Sequence, residues 1–324
     1  MVSKVSVIVP VYKAERYIER CARSLFEQTL DKIEYIFIND CSPDNSMTIL
    51  ENTIKEYLCR KDQIKIINQQ NNVGLAAVRR IGFQYAEGEF VTTCDSDDWV
   101  DHNMYKMMYN KAIKTNADIV FCDYYTTDGN RKRVCRTKSV STPINYIKDM
   151  LYHKSSWSLC NKIFRRTLFN LPIIYPDKSM GEDLTLTLQL VFYSKKVLSI
   201  DKPLYYYYTN PFSIVNNKNK ECTYSKFSQA MENCRIIYKF YENKDIYLKV
   251  KGGLTSLHYH VKCLLLPIIA DKTYYQIWKN TFPHIEREIL KDSNNSLRER
   301  LKCLLILLHL YPRITNCLKI THCK

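Results

Sequence analysis

The chain has 324 residues, of which 46% are hydrophobic and 25% charged, so it can bury the core of one large domain or of two modest ones. Its formal net charge of +15 favours an anionic partner, namely nucleic acid, an anionic membrane or a phosphorylated substrate. The 13 cysteines are scattered without a C-x-x-C pair, which argues against a zinc module and favours a reducing, cytoplasmic location. No apolar stretch reaches the ~18–20 residues that span a bilayer, and Pro10 comes before a signal-peptide core develops.

The first 120 residues alternate between strand and helix patterns. Such repeated units predict an α/β fold with a Rossmann-like, mostly parallel sheet and helices on both faces. The predicted strands are Val5–Val9, Tyr35–Ile38, Ile64–Ile67, Phe90–Cys94 and Ile119–Cys122. The predicted helices lie near residues 17–26, 50–58, 76–86 and 104–108.

The second half is less regular. Residues 131–138 are basic and predict a connecting loop, residues 184–192 predict a helix, and Val197–Ile200 predict a strand. After about residue 220 the pattern becomes mainly helical. We therefore expect a nucleotide-sugar half over residues 1–125, an acceptor half over 126–215, and a helical C-terminal region over 216–324.

Three carboxylates cluster directly after the strand Phe90–Cys94, in the segment Asp95-Ser96-Asp97-Asp98. With no lysine or arginine nearby in the sequence, these like charges need a cation, a shared proton or strong hydration. A hard divalent ion, with a diphosphate completing its shell, is one solution. The alternative is the acidic N-terminus of a helix. In parallel sheets ligands bind at the carboxyl ends of strands, where this cluster lies.

A series of motifs over roughly residues 3–215 resembles family 2 of the glycosyltransferases, in that family's order and spacing. The motifs lie at 6–12 with Glu15, 38–46, 72–79, 88–91, 95–99, 161–166, 181–184 and 201–205. The resemblance implies the GT-A fold, a nucleotide-sugar donor, a divalent metal (Mn²⁺ or Mg²⁺) and transfer with inversion at the anomeric carbon.

The resemblance also implies donor-binding residues. Pro10 and Tyr12 match positions that hold the base and ribose of the donor, and Glu15 matches a ribose-contacting carboxylate. Asp40 matches the acid that accepts a hydrogen bond from the base, commonly from uracil N3–H, which indicates UDP. Arg79 matches an arginine that helps to hold the donor, although a solvated arginine on a helix face is the alternative.

Asp95 and Asp97 match the D-x-D pair that binds the metal and the donor diphosphate. Asp183 matches the general base, since one carboxylate must remove the proton of the attacking hydroxyl in an inverting displacement. The alternative for Asp183 is a helix N-terminal acid, because an apolar periodic segment follows it.

Asn161, Lys162 and Glu182 match positions near the phosphate or the acceptor. Tyr208 departs from the pattern, since an arginine often follows the tyrosines there. Arg80 departs as well, because many relatives have asparagine at that position. The tyrosine run 205–208 predicts a buried edge strand rather than a platform for stacking sugars.

The C-terminal segment 297–313 is basic at its start and rich in leucine. It predicts either a helix packed on the protein or a helix lying in the plane of an anionic membrane. A membrane role would extend over residues 297–324.

These observations predict a metal-dependent, inverting hexosyl- or N-acetylhexosaminyltransferase for surface polysaccharide. It would lie in the cytoplasm, peripheral on the inner face of the cell membrane, and transfer sugar from a UDP-sugar to a lipid-linked glycan. One alternative is a metal-dependent nucleotidyltransferase, which needs a phosphate loop rich in glycine near the first strand, whereas no glycine precedes Gly74. A nucleic-acid-binding protein is a second alternative, but the lysines and arginines are dispersed, so we expect no nucleic-acid partner.

Overall fold

The computed structural model describes residues 3–137, 140, 142–210, 219–308 and 310. The described strands are β1 (Val5–Val11), β2 (Ile33–Asn39), β3 (Ile64–Asn68), β4 (Phe90–Thr93), β5 (Trp99–Val100), β6 (Ile119–Thr127), β7 (Lys132–Cys135), β8 (Lys162–Arg165) and β9 (Val197–Tyr208). The described helices are α1 (Ile18–Phe26), α2 (Ser46–Glu56), α3 (Leu75–Tyr85), α4 (Met104–Thr115), α5 (Pro143–Leu151), α6 (Glu182–Tyr193), α7 (Lys220–Tyr241), α8 (Tyr247–Cys263), α9 (Lys272–Asn280), α10 (Ile285–Lys291) and α11 (Leu297–Leu307).

The strands form one sheet in the order β3-β2-β1-β4-β8-β6-β9-β5, and β7 pairs with β6 beside this path. The pairs β1-β2, β1-β4, β2-β3 and β6-β9 are parallel. The pairs β4-β8, β6-β8, β6-β7 and β5-β9 are antiparallel. The N-terminal part of the sheet is therefore the parallel α/β arrangement that the alternating pattern predicts.

Helices cover both faces of the parallel strands. On one face, side chains of α1 and α4 share a core with Val7, Val9 and Phe37. On the other face α3 lies so close that a Cβ added at Gly82 would be 2.3 Å from Ile8 Cγ2. Glycine at this position therefore lets α3 approach β1, and this approach sets the depth of the helix that carries Arg79.

Two predicted elements differ from the observed ones. Within the predicted loop 131–138, Lys132–Cys135 form strand β7, whose exposed basic side chains are typical of an edge strand and obscured the strand pattern. The predicted strand Val197–Ile200 continues to Tyr208, with register irregularities opposite Asp123 that accommodate Pro203. Strand β9 lies between β6 and β5, so the tyrosines are not on an edge strand.

The described residues divide into two compact units. One contains those up to 147 and those from 155 to 210, and the other contains 148–154 and those from 219 onward. The second unit is helical in the described part, with a cluster formed by Tyr259, Ile285, Ile289 and Cys303. No helix among the described residues is long and apolar enough to cross a membrane.

Candidate active site

The site forms where strand β8 runs antiparallel beside β4. Phe90 pairs with Arg165 and Val91 with Phe164, so the start of β8 lies beside the end of β4. The loop that enters β8 thereby reaches the aspartates that follow β4. Potential ligand atoms of Asp95, Asp98 and Cys160 lie within 4.8 Å of one another, and the predicted metal ligand Asp97 is not part of this group.

The loops after β1 and β2 carry predicted donor-binding residues and are tied together. The Ala14 N–H donates to Ser46 Oγ at 2.9 Å, and the Asn45 N–H donates to Glu15 Oε2 at 3.2 Å. Ser46 is the first residue of α2, and Asn45 is the N-cap residue before it. The Glu15 carboxylate, predicted to contact ribose, therefore also fixes the neighbouring loop.

Pro10 and Tyr12 lie at the end of β1 with opposite exposure. Pro10 is buried in the strand, whereas Tyr12 is exposed and its ring lies 5.2 Å from Lys13 Nζ. Because this ammonium group lies over the ring, an exposed aromatic face and a positive charge occur together here. Such a surface suits a nucleotide, whose base stacks and whose phosphates are anionic.

Asp40 is buried at the end of β2 and holds the loop that leads into α3. Its Oδ1 accepts from the Val73 N–H at 2.7 Å, and its Oδ2 accepts from the Gly74 N–H at 3.0 Å. The Asn72 side chain donates to the Asp40 carbonyl oxygen at 3.2 Å. Each carboxylate oxygen keeps a second lone pair, so this arrangement leaves acceptor capacity for a base.

Arg79 is buried on α3 and bridges two carboxylates from different parts of the chain. Its Nη2 donates to Asp95 Oδ1 at 2.5 Å, and its Nη1 pairs with Glu182 Oε1 at the start of α6. The alternative of a solvated arginine on a helix face is therefore wrong, since the Arg79 side chain is only 6% exposed. Glu182 is buried as well, whereas Asp95 keeps 30% of its side chain exposed.

Asp97 and Asp98 are held by the strand β9 and the residues that follow it. Asp97 Oδ2 accepts from the Asn210 side-chain amide at 3.1 Å. Asp98 accepts from the Tyr205 hydroxyl at 2.5 Å and from the Tyr208 N–H at 2.7 Å. Asp98 is followed by β5 and caps no helix, so the interpretation of this cluster as a helix N-terminus is wrong.

The electrostatics of this cluster fit a cation. Burial, and then the charge of Asp95, raises the pKa of Asp97, and the same two causes raise the pKa of Asp98 well above its usual range. Burial also raises the pKa of the Cys160 thiol well above its usual range, which disfavours a thiolate ligand. Oxygen donors with excess negative charge suit Mg²⁺ or Mn²⁺.

Asp183 is the second residue of α6 and lies near this cluster. The helix starts after Gly181, whose φ of +82° is a conformation that glycine adopts without strain. Burial raises the pKa of Asp183, while the positive charges of Arg79 and Lys162 lower it. Its Oδ1 accepts from the N–H of the next residue at 2.8 Å, and the described residues provide no other hydrogen bond to this carboxylate. A half-buried carboxylate with raised pKa and open acceptor capacity suits a general base.

Asn161 and Lys162 are buried at the start of β8. Lys162 Nζ donates to Ser158 O at 2.6 Å and to Asn161 Oδ1 at 2.9 Å, and burial lowers the pKa of Lys162 to about 8. Asp183 acts in the opposite direction on that pKa. Lys162 therefore supplies positive charge beside the candidate base, whereas Asn161 orients the ammonium group.

Two further residues, Tyr205 and Arg20, contribute to the cluster, although the sequence motifs predict no such role for either. Tyr205 holds Asp98 and accepts from the Asp95 N–H at 3.4 Å, and Arg20 donates to the Asp97 carbonyl oxygen at 2.7 Å while stacking on Trp99. Alternation along the tyrosine run was a signal for Tyr205, because alternate residues of a strand share a face. Nothing in the sequence around Arg20 indicates its contact.

The comparisons with known proteins agree with the observed fold. The family model described as Glycosyl transferase family 2 matches residues 6–174. Over 226 residues the chain is 30% identical to the uncharacterized glycosyltransferase EpsJ of Bacillus subtilis (strain 168), in a match that covers 66% of this chain and 63% of EpsJ. The chain thus spans less than two thirds of the length of this relative.

Two solved structures share the fold. One is Staphylococcus aureus TarS 1-349 in complex with UDP-GlcNAc, with a TM-score of 0.60, 18% identity, and coverage of 93% of this chain and 89% of that chain. The other is the mannosyltransferase PcManGT from Pyrobaculum calidifontis in complex with GDP-Man and Mn²⁺, with a TM-score of 0.57, 15% identity, and coverage of 83% and 74%. The predicted GT-A fold is confirmed by these similarities.

Proposed function

We propose that this chain, which belongs to glycosyl transferase family 2 and is a glycosyltransferase, transfers a sugar from a UDP-sugar with inversion at the anomeric carbon. The acceptor is a hydroxyl group of a growing, lipid-linked surface glycan. Asp183 is the general base, and Asp95 and Asp97 bind the divalent ion and, through it, the donor. Membership of the family supports a glycosyltransferase over the two alternatives, a nucleotidyltransferase and a nucleic-acid-binding protein.

One observation carries the proposal: Asp183, at the second position of α6, lies close enough to Asp95 and Arg79 for their charges to act on its carboxylate. Asp95 contributes to the electrostatics of Asp183, and Arg79 acts on both carboxylates. The proposed diphosphate site and the proposed base thus belong to different elements, the loop after β4 and the start of α6. A base on one side of the sugar and a leaving group on the other is the arrangement that an inverting displacement needs.

Each candidate residue has a separate role in the proposed reaction. The hydroxyl oxygen of the acceptor attacks the anomeric carbon while Asp183 accepts the hydroxyl proton. At the same time the bond between the anomeric carbon and the UDP oxygen breaks, and UDP leaves. A divalent ion at Asp95 and Asp97 would supply positive charge to that leaving group. The positive charges of Arg79 and Lys162 favour the ionised form of Asp183, and Asp40 binds the nucleobase of the donor.

Binding of the donor is tested by thermal shift with UDP, GDP and CMP, each with Mn²⁺ or with EDTA. A ligand at ~100 times its dissociation constant stabilises the folded state by about 2.7 kcal/mol. We expect UDP with Mn²⁺ to give the largest shift, and Asp95→Asn to remove it. Asp123→Asn is the matched control, because Asp123 is a buried aspartate of the same unit that accepts from the Thr137 N–H. A larger shift with GDP or CMP, or an equal shift in EDTA, contradicts the assignment.

The stereochemistry is tested on the product. UDP release from a panel of UDP-sugars identifies the donor, and proton NMR of the product gives the configuration of the new glycosidic bond. We expect a β-linked product from an α-linked donor. An α-linked product would show retention and would exclude a single displacement with Asp183 as base.

A leucine stripe on α11 supports peripheral binding to a membrane. Leu297, Leu301, Leu304 and Leu308 are 80, 54, 40 and 55% exposed, and their spacing puts them on one face of the helix. Arg298 beside this stripe and the net charge of +15 favour an anionic surface as its partner. Residues 309 and 311–324 of the predicted membrane segment lie outside the described residues.

Membrane binding is tested by flotation with vesicles that contain phosphatidylglycerol or only phosphatidylcholine. We expect wild type to float with the anionic vesicles and Leu301→Glu/Leu304→Glu to stay in solution. Leu58→Glu is the matched control, since Leu58 is 71% exposed in the other unit. Equal flotation of wild type and the double variant contradicts membrane binding through α11. A dimer that forms in wild type and in Leu58→Glu, but not in the double variant, contradicts it as well.

A further inference from the structure

Arg79 is the only described side chain that pairs with both a candidate metal ligand and the helix of the candidate base. Its guanidinium contacts Asp95 after β4 and Glu182 at the first position of α6, directly before Asp183. The Arg79 and Glu182 side chains are 6% and 2% exposed. Charges this well buried are poorly screened by solvent or salt, so each strongly influences the others.

Arg79 and its two salt-bridge partners together carry one negative charge in excess. Arg79 contributes one positive charge, and Asp95 and Glu182 contribute two negative charges. Glu182 Oε2 and Arg79 Nε have no hydrogen-bond partner among the described residues. Buried polar atoms are normally paired, so an unpaired carboxylate oxygen in this position needs an explanation other than stability.

The explanation is that Glu182 offsets the positive charge of Arg79, which otherwise acts on Asp95. A divalent ion that binds Asp95 competes with the guanidinium for the same carboxylate. When Glu182 neutralises Arg79, Asp95 keeps its negative charge for the ion. Without that neutralisation, Arg79 and Asp95 form a neutral pair that attracts a cation less strongly.

We propose that Glu182 is a positioning residue that acts through Arg79 to keep Asp95 available for the divalent ion, and so couples the metal site to the base helix. The inference rests on the proposed function, because it takes Asp95 as a metal ligand. It adds that a residue on α6, beside the base, controls metal affinity at the end of β4. Replacing a residue that contacts a metal ligand typically lowers metal affinity by about 10–100-fold.

The test measures Mn²⁺ affinity of the full chain from the EPR signal of free Mn²⁺, with and without UDP. We expect Glu182→Gln to weaken Mn²⁺ binding about tenfold, in agreement with the range for such partners. The matched control is Glu286→Gln, which removes a buried glutamate that pairs with Lys262 Nζ at 2.8 Å in the other unit. Thermal melting of each variant verifies that it is folded.

A double variant separates the charge effect from damage to the fold. Arg79→Met/Glu182→Gln removes both the competing cation and its partner, so without UDP it should bind Mn²⁺ within about threefold of wild type. Replacement of a buried ion pair by uncharged residues is often tolerated, so this variant also serves if Glu182→Gln does not fold. Binding by the double variant as weak as that of Glu182→Gln overturns the inference.

Failure of the inference and failure of the proposed function give different results. Wild type that binds no Mn²⁺ contradicts the metal site of the proposed function and with it the inference. Wild type that binds Mn²⁺ as tightly as folded Glu182→Gln leaves the metal site standing and overturns the role of Glu182 alone.

Discussion

Replacing Asp183 with asparagine separates its predicted chemical role from a structural one. Asparagine has nearly the same shape and still accepts the 2.8 Å hydrogen bond from the N–H of Leu184. It cannot take up a proton, so the acceptor hydroxyl would attack without assistance. We therefore expect the sugar-transfer rate to collapse while the donor site, built from other loops, keeps its affinity for UDP and Mn²⁺.

The expected loss follows from the value of general-base assistance, typically ~10²–10⁴ in rate, or about 2.7–5.4 kcal/mol of activation free energy. The stability of the folded Asp183→Asn variant, in contrast, should be equal to that of wild type or higher. Burial raises the folded-state pKa of Asp183. The contribution of such a group to stability is present at low pH and is lost as pH rises through the folded pKa. At pH 7.5 the variant should therefore melt at the same temperature as wild type or higher.

The assay follows product formation and UDP affinity for wild type and Asp183→Asn under the same conditions, from pH 5 to pH 9. Wild-type transfer should fall as pH drops through the raised pKa of Asp183, because only the ionised carboxylate accepts a proton. If the variant transfers sugar at a rate within about tenfold of wild type, the assignment is refuted, since a tenfold loss of rate is much smaller than the expected loss. A lower melting temperature with unchanged transfer would assign Asp183 to the helix terminus instead.

Three further substitutions test the supporting structure. Lys162→Met removes a positive charge that lowers the pKa of Asp183, so the acid limb of the pH profile of transfer should move to higher pH. Gly82→Ala places a Cβ 2.3 Å from Ile8 Cγ2 and should destabilise the fold by about 1–3 kcal/mol, measured by urea unfolding. Asp40→Asn has one acceptor oxygen for two backbone N–H groups, so calorimetry should show weaker UDP binding, alongside a loss of about 1–3 kcal/mol of stability.

The parallel half of the sheet could be predicted because its elements are periodic and local. Val5–Val11 and Ile33–Asn39 are apolar runs whose pairing needs only helical crossovers, and both are strands. The end of β9 could not be predicted, since Pro203 interrupts its pattern and only the register irregularity beside β6 restores pairing. Strand β7 was missed because its basic composition is also typical of a loop.

Positions of the site residues were easier to predict than their partners. The apolar patterns around Asp95 and Asp183 predict the end of a strand and the start of a helix, as observed. The contacts of Arg79 depend on a separation of 103 residues to Glu182, which no local pattern encodes. Asp40 also accepts a hydrogen bond from the loop before α3. No local pattern predicts this contact either, because its two residues are far apart in the sequence.

The change from parallel to antiparallel pairing next to β4 explains why such distant residues meet. In a wholly parallel sheet, the strand beside β4 would bring its own carboxyl end to the edge at which Asp95 lies. Strand β8 runs in the opposite direction, so its amino end and the preceding loop reach that edge and bring Cys160 and Lys162 beside the aspartates. The edge then carries residues from before one strand and after another. This mixed pairing brings residues that are far apart in the sequence to one edge of the sheet.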